Sequence, residues 1–140
     1  MRKKVNIVLF IVYIIIVLYL TIINRNTYSS SMINFKLFAN LEFVASHSFR
    51  KFLYYFLGNI AVFIPLGYFI KELLNINFIK AIILIIIISF FIESYQYIFK
   101  VGIFELDDLI LNTFGGILGF LGNLLFFKVK SIIKKEDNYV

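Results

Sequence analysis

The stretch Ile79-Lys-Ala-Ile-Ile-Leu-Ile-Ile-Ile-Ile-Ser89-Phe-Phe-Ile-Glu93-Ser-Tyr-Gln96-Tyr-Ile-Phe99 decides the fold. It is apolar on every side of a helix for most of its length, so no soluble core has a face to hide it against. At about 1.5 Å per residue such a run spans about 30 Å, the thickness of a bilayer's hydrocarbon. Its isoleucine-rich centre, Ile82 to Ile88, carries no motif of its own. Three further runs of similar length flank it: about Val5–Ile23, Phe52–Ile70 and Leu109–Phe127. The chain is 61% hydrophobic, well above the roughly 45–50% of soluble domains. The expectation is an all-α integral membrane bundle of four transmembrane helices, one membrane domain over residues 1–140, with the lipid bilayer as its main partner.

Charge placement supplies orientation. The net charge is +6, but the basic residues sit beside the apolar runs, so they read as a topology signal and not as a nucleic-acid surface. Placing the N-terminus inside puts Arg2, Lys3, Lys4, Lys71, Lys80, Lys128, Lys130, Lys134 and Lys135 on the inner face. Arg25, Lys36, Arg50, Lys51 and Lys100 then lie outside. Both termini are therefore expected in the cytoplasm. The first run is longer than the h-region of a signal peptide, and Asn24-Arg25-Asn26-Thr27 offers no Ala-x-Ala site, so it reads as a retained anchor. In the loop from about Asn24 to Lys51, Leu37, Leu41 and Val44 share a helical face. They suggest a short interfacial helix or a loop packed over the bundle. The segment from Lys128 reads as a charged, frayed tail.

The residues that hydrocarbon disfavours carry the functional information. Glu93 lies within the third run, where an ionisable group costs on the order of 2.5–3.5 kcal/mol. Gln96 at i+3 and Ser89 at i−4 share its face. Asp108 and Asn112 align at i, i+4 in the fourth run, which continues through Gly115, Gly116 and Gly119. Gly115-x-x-x-Gly119 is a spacing that lets a neighbouring helix come close. In the second run Asn59 and Pro65 interrupt the apolar pattern. Pro65 removes the partner of the Ala61 carbonyl, and a kink is expected there.

Alternation of four spans sets these groups at one depth. Counting helical rise, Asn59 lies roughly 10 Å below the outer surface and Glu93 roughly 9 Å below it. Asp108 stands at the mouth, with Asn112 one turn deeper. Asn59, Glu93, Gln96, Asp107, Asp108 and Asn112 are the candidate binding residues, and Glu93 and Asp108 the candidates for catalysis if any occurs. The plainer alternatives are helix capping for Asp107 and Asp108 and interhelical hydrogen bonding for Glu93, Asn59 and Asn112. Pro65, Gly67, Gly115, Gly116 and Gly119 are the candidate packing residues. No cysteine is present, which excludes disulfides, thiolate metal sites and cysteine nucleophiles. His47 is the only histidine, so no serine–histidine pair is at hand. No cofactor or metal is expected.

Three motifs resemble those of the VanZ-like membrane proteins. Asn59-Ile-Ala-Val-Phe63-Ile-Pro65-Leu-Gly67 is similar to their N-x-x-x-F-x-P-L-G segment, and Glu93-Ser-Tyr-Gln96 to their E-x-x-Q. Glu105-Leu-Asp107-Asp108-Leu-Ile-Leu-Asn112-Thr-Phe-Gly115-Gly-Ile-Leu-Gly119 resembles their acidic D-D-x-x-x-N-x-x-G-x-x-x-G block. Together they occupy about residues 52–122, in order. One departure stands out. Many members carry an arginine shortly after E-x-x-Q, where this chain has Gly102, with Lys100, Arg50 and Lys51 as possible substitutes. The resemblance implies a bacterial cell-envelope protein linked to low-level teicoplanin resistance, with a lipid-linked wall precursor or a lipoglycopeptide as its partner. Three readings follow: a binding protein for an amphiphile, with an outer-leaflet polar pocket; an enzyme acting on a lipid (pyro)phosphate headgroup, with Glu93 as acid or base and Glu105, Asp107 and Asp108 around Mg²⁺; and a small oligomeric transporter.

Overall fold

In the computed structural model, residues 2–23, 32–37 and 49–136 are described. Four helices are long and apolar enough to cross a membrane, and the protein is a multi-pass membrane protein. Helix α1 spans Arg2–Leu18 and runs on as a π-helical turn over Tyr19–Ile23. Helix α2 spans Phe49–Phe69, with a second π-helical turn over Ile70–Leu74. Helix α3 covers Phe78–Ile98 and α4 covers Leu106–Glu136. Two short strands, β1 (Ile33–Asn34) and β2 (Phe104–Glu105), pair in parallel, Ile33 opposite Phe104 and Asn34 opposite Glu105. The proposed interfacial helix rests on Leu41 and Val44, which lie outside the described residues, as does His47.

The segment from Lys128 differs from the expected frayed tail: α4 continues through it to Glu136. Its Val129, Ile132 and Ile133 keep a helical spacing, and Lys134 and Lys135 in the last turn complement the helix dipole. Pro65 sits inside α2 without ending it. The Tyr13 hydroxyl donates to the carbonyl of Val62 at 2.7 Å, so a polar group from α1 serves the backbone one turn before the proline. The rings of Phe10 and Tyr13 also pack at a tilt against Phe69, which holds α1 on α2. Asn75 ends the second span in a left-handed conformation, with φ 49°, and Asn77 caps α3 by accepting from the backbone N–H of Lys80 at 2.9 Å.

Helix α4 is the most buried of the four and α1 the least. The core lies where α2, α3 and α4 meet: Phe63, Leu66, Ile70, Ala81, Ile85 and Phe120. Contact between α2 and α4 is made by backbone. A Cβ at Gly67 would fall 1.8 Å from the Gly116 carbonyl oxygen, one at Gly119 1.8 Å from that of Ile64, and one at Gly115 2.2 Å from that of Ile60. Gly116 lies under the Ile85 side chain of α3. Small residues are the means by which helices approach in lipid, where no hydrophobic force drives them together.

Gly119→Ala therefore forces α2 and α4 apart and should cost about 1–3 kcal/mol. Gly122, one turn further on, has nothing within 4 Å of an added Cβ, so Gly122→Ala should leave stability unchanged or slightly raised. Thermal unfolding of both variants in detergent, followed by helical circular dichroism, checks the pair.

Candidate functional site

At the end of the bundle where α3 turns back into α4, the chain builds a polar cluster from backbone geometry upward. The last turn of α3 closes with Lys100 N–H on the Tyr97 carbonyl and Val101 N–H on that of Gln96. This is a Schellman closure, with Lys100 held at φ 56° in a position that usually selects glycine. The reversal brings Gly102 against Gln96, where an added Cβ would sit 2.9 Å from both Cβ and Oε1. It also lays β2 over the end of α3, so the Glu105 backbone N–H donates to Glu93 Oε2 at 3.3 Å. Met32 adds a second tie, its carbonyl accepting from Phe104 N–H at 3.1 Å.

Side chains from α2, α3 and α4 then meet, joined by a backbone carbonyl from the turn that follows α1. Asn59 of α2 donates to Asp108 Oδ1 of α4 at 2.8 Å. The Tyr55 hydroxyl, one turn away on α2, bonds to the same Asp108 oxygen and to Glu105 Oε2 at 2.8 Å. Asn112 of α4 donates to Ser89 Oγ of α3 at 3.0 Å. Gln96 of α3 donates to the carbonyl of Thr21 at 2.9 Å, in the π-helical turn of α1. Glu93, at 2% exposure, is among the most buried side chains of the protein. Ser89, Gln96, Asp107, Asp108 and Asn112 are also buried.

Part of this cluster faces a cavity of about 1160 Å³, somewhat larger than most small-molecule sites. Its inner wall carries Asn59, Glu93, Gln96, Glu105, Asp108 and Asn112. Its apolar flank runs down the cleft between α1 and α2, past Leu20, Leu53, Leu57, Gly58, Ala61 and Val62. Arg50 and Lys51, both exposed, stand at its rim. Lys100 is exposed and off the wall, and among the described residues the cations that line the cavity are Arg50 and Lys51 at the start of α2. Asp107 is buried in the first turn of α4 and does not line the cavity. Pro65, Gly67, Gly115, Gly116 and Gly119 lie outside it too, in the α2–α4 contact and near it.

Several polar contacts are not evident from sequence spacing. Tyr55 reads as one more aromatic in an apolar run, and only its place one turn before Asn59 hints at its hydroxyl. At the opposite end of the bundle Glu72 accepts from Asn6 at 2.7 Å and from Asn123 at 3.2 Å. That cluster joins α1, α2 and α4 through residues which lie near span ends, where a polar side chain raises no alarm.

A family model described as VanZ/LLP1 matches residues 10–128. Protein VanZ of Enterococcus faecium is 34% identical over 82 residues, covering 55% of this chain and 46% of that protein. The chain thus matches about half the length of this curated relative. No solved structure matches.

The Tyr55–Asp108 contact should behave as a coupled pair. A double-mutant cycle with Tyr55→Phe and Asp108→Asn, read by unfolding in detergent, should show an interaction of about 0.6–1.7 kcal/mol, the scale of hydrogen bonds between membrane helices.

Proposed function

The chain belongs to the VanZ/LLP1 family, and from that premise we propose that it binds an amphiphile of the bacterial cell envelope in the cavity between its helices. The headgroup sits on the polar wall of Asn59, Glu93, Gln96, Asp108 and Asn112, and the chain leaves along the cleft between α1 and α2. The observation that carries this reading is the composition of one continuous cavity: polar groups from α2, α3 and α4 on one side, and on the other an apolar cleft that ends at lipid-facing residues such as Leu57 and Ala61. A soluble ligand has no use for the cleft, and a pure hydrocarbon has no use for the polar wall.

A transport path is less well supported. Below the cavity, Phe63, Leu66, Ile70, Ile85 and Phe120 fill the bundle before the Asn6–Glu72–Asn123 cluster is reached. Moving a headgroup across would require that plug to open. The positive charges beside the termini favour a cytoplasmic N- and C-terminus, which turns the cavity toward the outer leaflet. A lipid-linked wall precursor or a lipoglycopeptide is met there, and a protective role against teicoplanin would follow from holding either one.

Gly58 provides the test. It lines the cavity and an added Cβ meets nothing within 4 Å, so Gly58→Phe introduces a ring at the cleft with no clash at its Cβ. In a susceptible host, the wild-type chain should raise the teicoplanin concentration needed to stop growth. Gly58→Phe, present at equal level in the membrane, should return it to that of the empty host. Full protection by the blocked variant would contradict the proposal.

A further inference from the structure

Resting on the reading of the cavity as an amphiphile site, we infer that the ligand is a phosphate-bearing amphiphile and that Arg50 and Lys51 are the anchor for its phosphate. The two cations follow one another in the first turn of α2, and both line the cavity. Both are exposed, and among the described residues neither side chain is held in an ion pair or a hydrogen bond. Arginine offers a planar fork of donors that fits two phosphate oxygens, and lysine a mobile point charge beside it. Position at a span end explains a cation at this level. It does not explain the pair's place on the cavity: Lys100, at the same end of the bundle, is exposed and off the wall.

Helix α2 carries the gradient that an amphiphile needs. Arg50, Tyr54, Leu57 and Ala61 follow one another along the cavity at helical spacing. Lys51, Tyr55, Gly58 and Val62 form a second row beside them. In each row a cation is followed by a phenol, and then by residues without a polar side-chain atom. Charge therefore stands at the mouth and apolar surface below it, the order of a phosphate and the chain attached to it. Arg50 precedes Asn59 by nine residues, about 13 Å of helical rise. That height keeps a phosphate at the rim clear of the carboxylates beside Asn59. The uncharged remainder of the headgroup then reaches the polar wall, where carboxylates and amides are partners for hydroxyl groups. A free phosphate would use the rim and leave the apolar part of both rows empty.

The chain contains no tryptophan, so Leu57→Trp places a single reporter on the apolar flank of the cavity. The protein is held in nanodiscs of a galactolipid, which brings no phosphate of its own. It is titrated with twelve-carbon amphiphiles brominated at the chain end, and quenching of the reporter is followed. The probes are an alkyl phosphate, an alkyl sulfonate and an alkyl glucoside. The expected result is half-quenching by the phosphate at a concentration lower by about tenfold or more than for the other two. Arg50→Gln combined with Lys51→Gln should abolish that preference and leave the glucoside titration unchanged, whereas Lys100→Gln should leave the preference intact. Inorganic phosphate, which lacks the chain, should displace the alkyl phosphate only at a far higher concentration. A preference that survives the double variant, or that Lys100→Gln removes as well, would overturn the anchor. Displacement by inorganic phosphate at the alkyl phosphate's own concentration would assign the rim to free phosphate and overturn the inference. Equal binding of the three probes, still removed by Gly58→Phe, would overturn the phosphate assignment and leave the amphiphile site standing. Quenching that Gly58→Phe does not change, with every probe, would overturn both.

Discussion

The near-contact of two backbones, α2 and α4, is the constraint on which the structure depends. At Gly67, Gly115 and Gly119 even one extra carbon would collide with the facing main chain. In hydrocarbon, helices gain nothing from hiding apolar surface, so association has to come from close packing and from hydrogen bonds. The glycine face supplies the first and brings Asn59 and Tyr55 within reach of Asp108, which supplies the second. Helix α3 docks onto the same face through Ile85 over Gly116 and through the Ser89–Asn112 bond.

The polar residues are sorted along the bundle. One cluster occupies the end where α3 turns into α4, a smaller one around Glu72 occupies the end that carries the termini, and the apolar core separates them. Such a division favours a site reached from one side and from the lipid. The smaller cluster has the form of a tie: Glu72 takes hydrogen bonds from two asparagines on two helices. In the larger cluster the side chains of Glu93, Glu105 and Asp108 line a cavity with an apolar flank. The smaller cluster lies apart from that cavity, and the larger one forms its wall.

Hydropathy makes the four spans legible in the sequence, since an apolar run about 30 Å long has few other uses. The positions of Glu93, Asp108, Asn59 and Asn112 stand out for the same reason, as expensive groups in hydrocarbon. Their depth follows from helical rise and alternation. What the sequence hides is identity of partners. Tyr55 is disguised by its ring, Thr21 contributes only a carbonyl, and Asn6, Glu72 and Asn123 lie near span ends where polarity is unremarkable. The helical continuation past Lys128 is obscured by charge, although Val129, Ile132 and Ile133 keep a helical period. The loop reversal at Lys100, which sets Glu105 over Glu93, depends on a left-handed residue that no glycine announces.

The cavity exists only if α2 and α4 meet at the level of the acids. With no native cysteine, paired cysteines introduced at Asn59 and Asp108 can be oxidised in native membranes and read by gel mobility. The account predicts rapid intramolecular cross-linking for this pair, and little for Asn59 paired with Phe91, which faces away at 67% exposure. Cross-linking of Asn59 to Phe91 but not to Asp108 would contradict it.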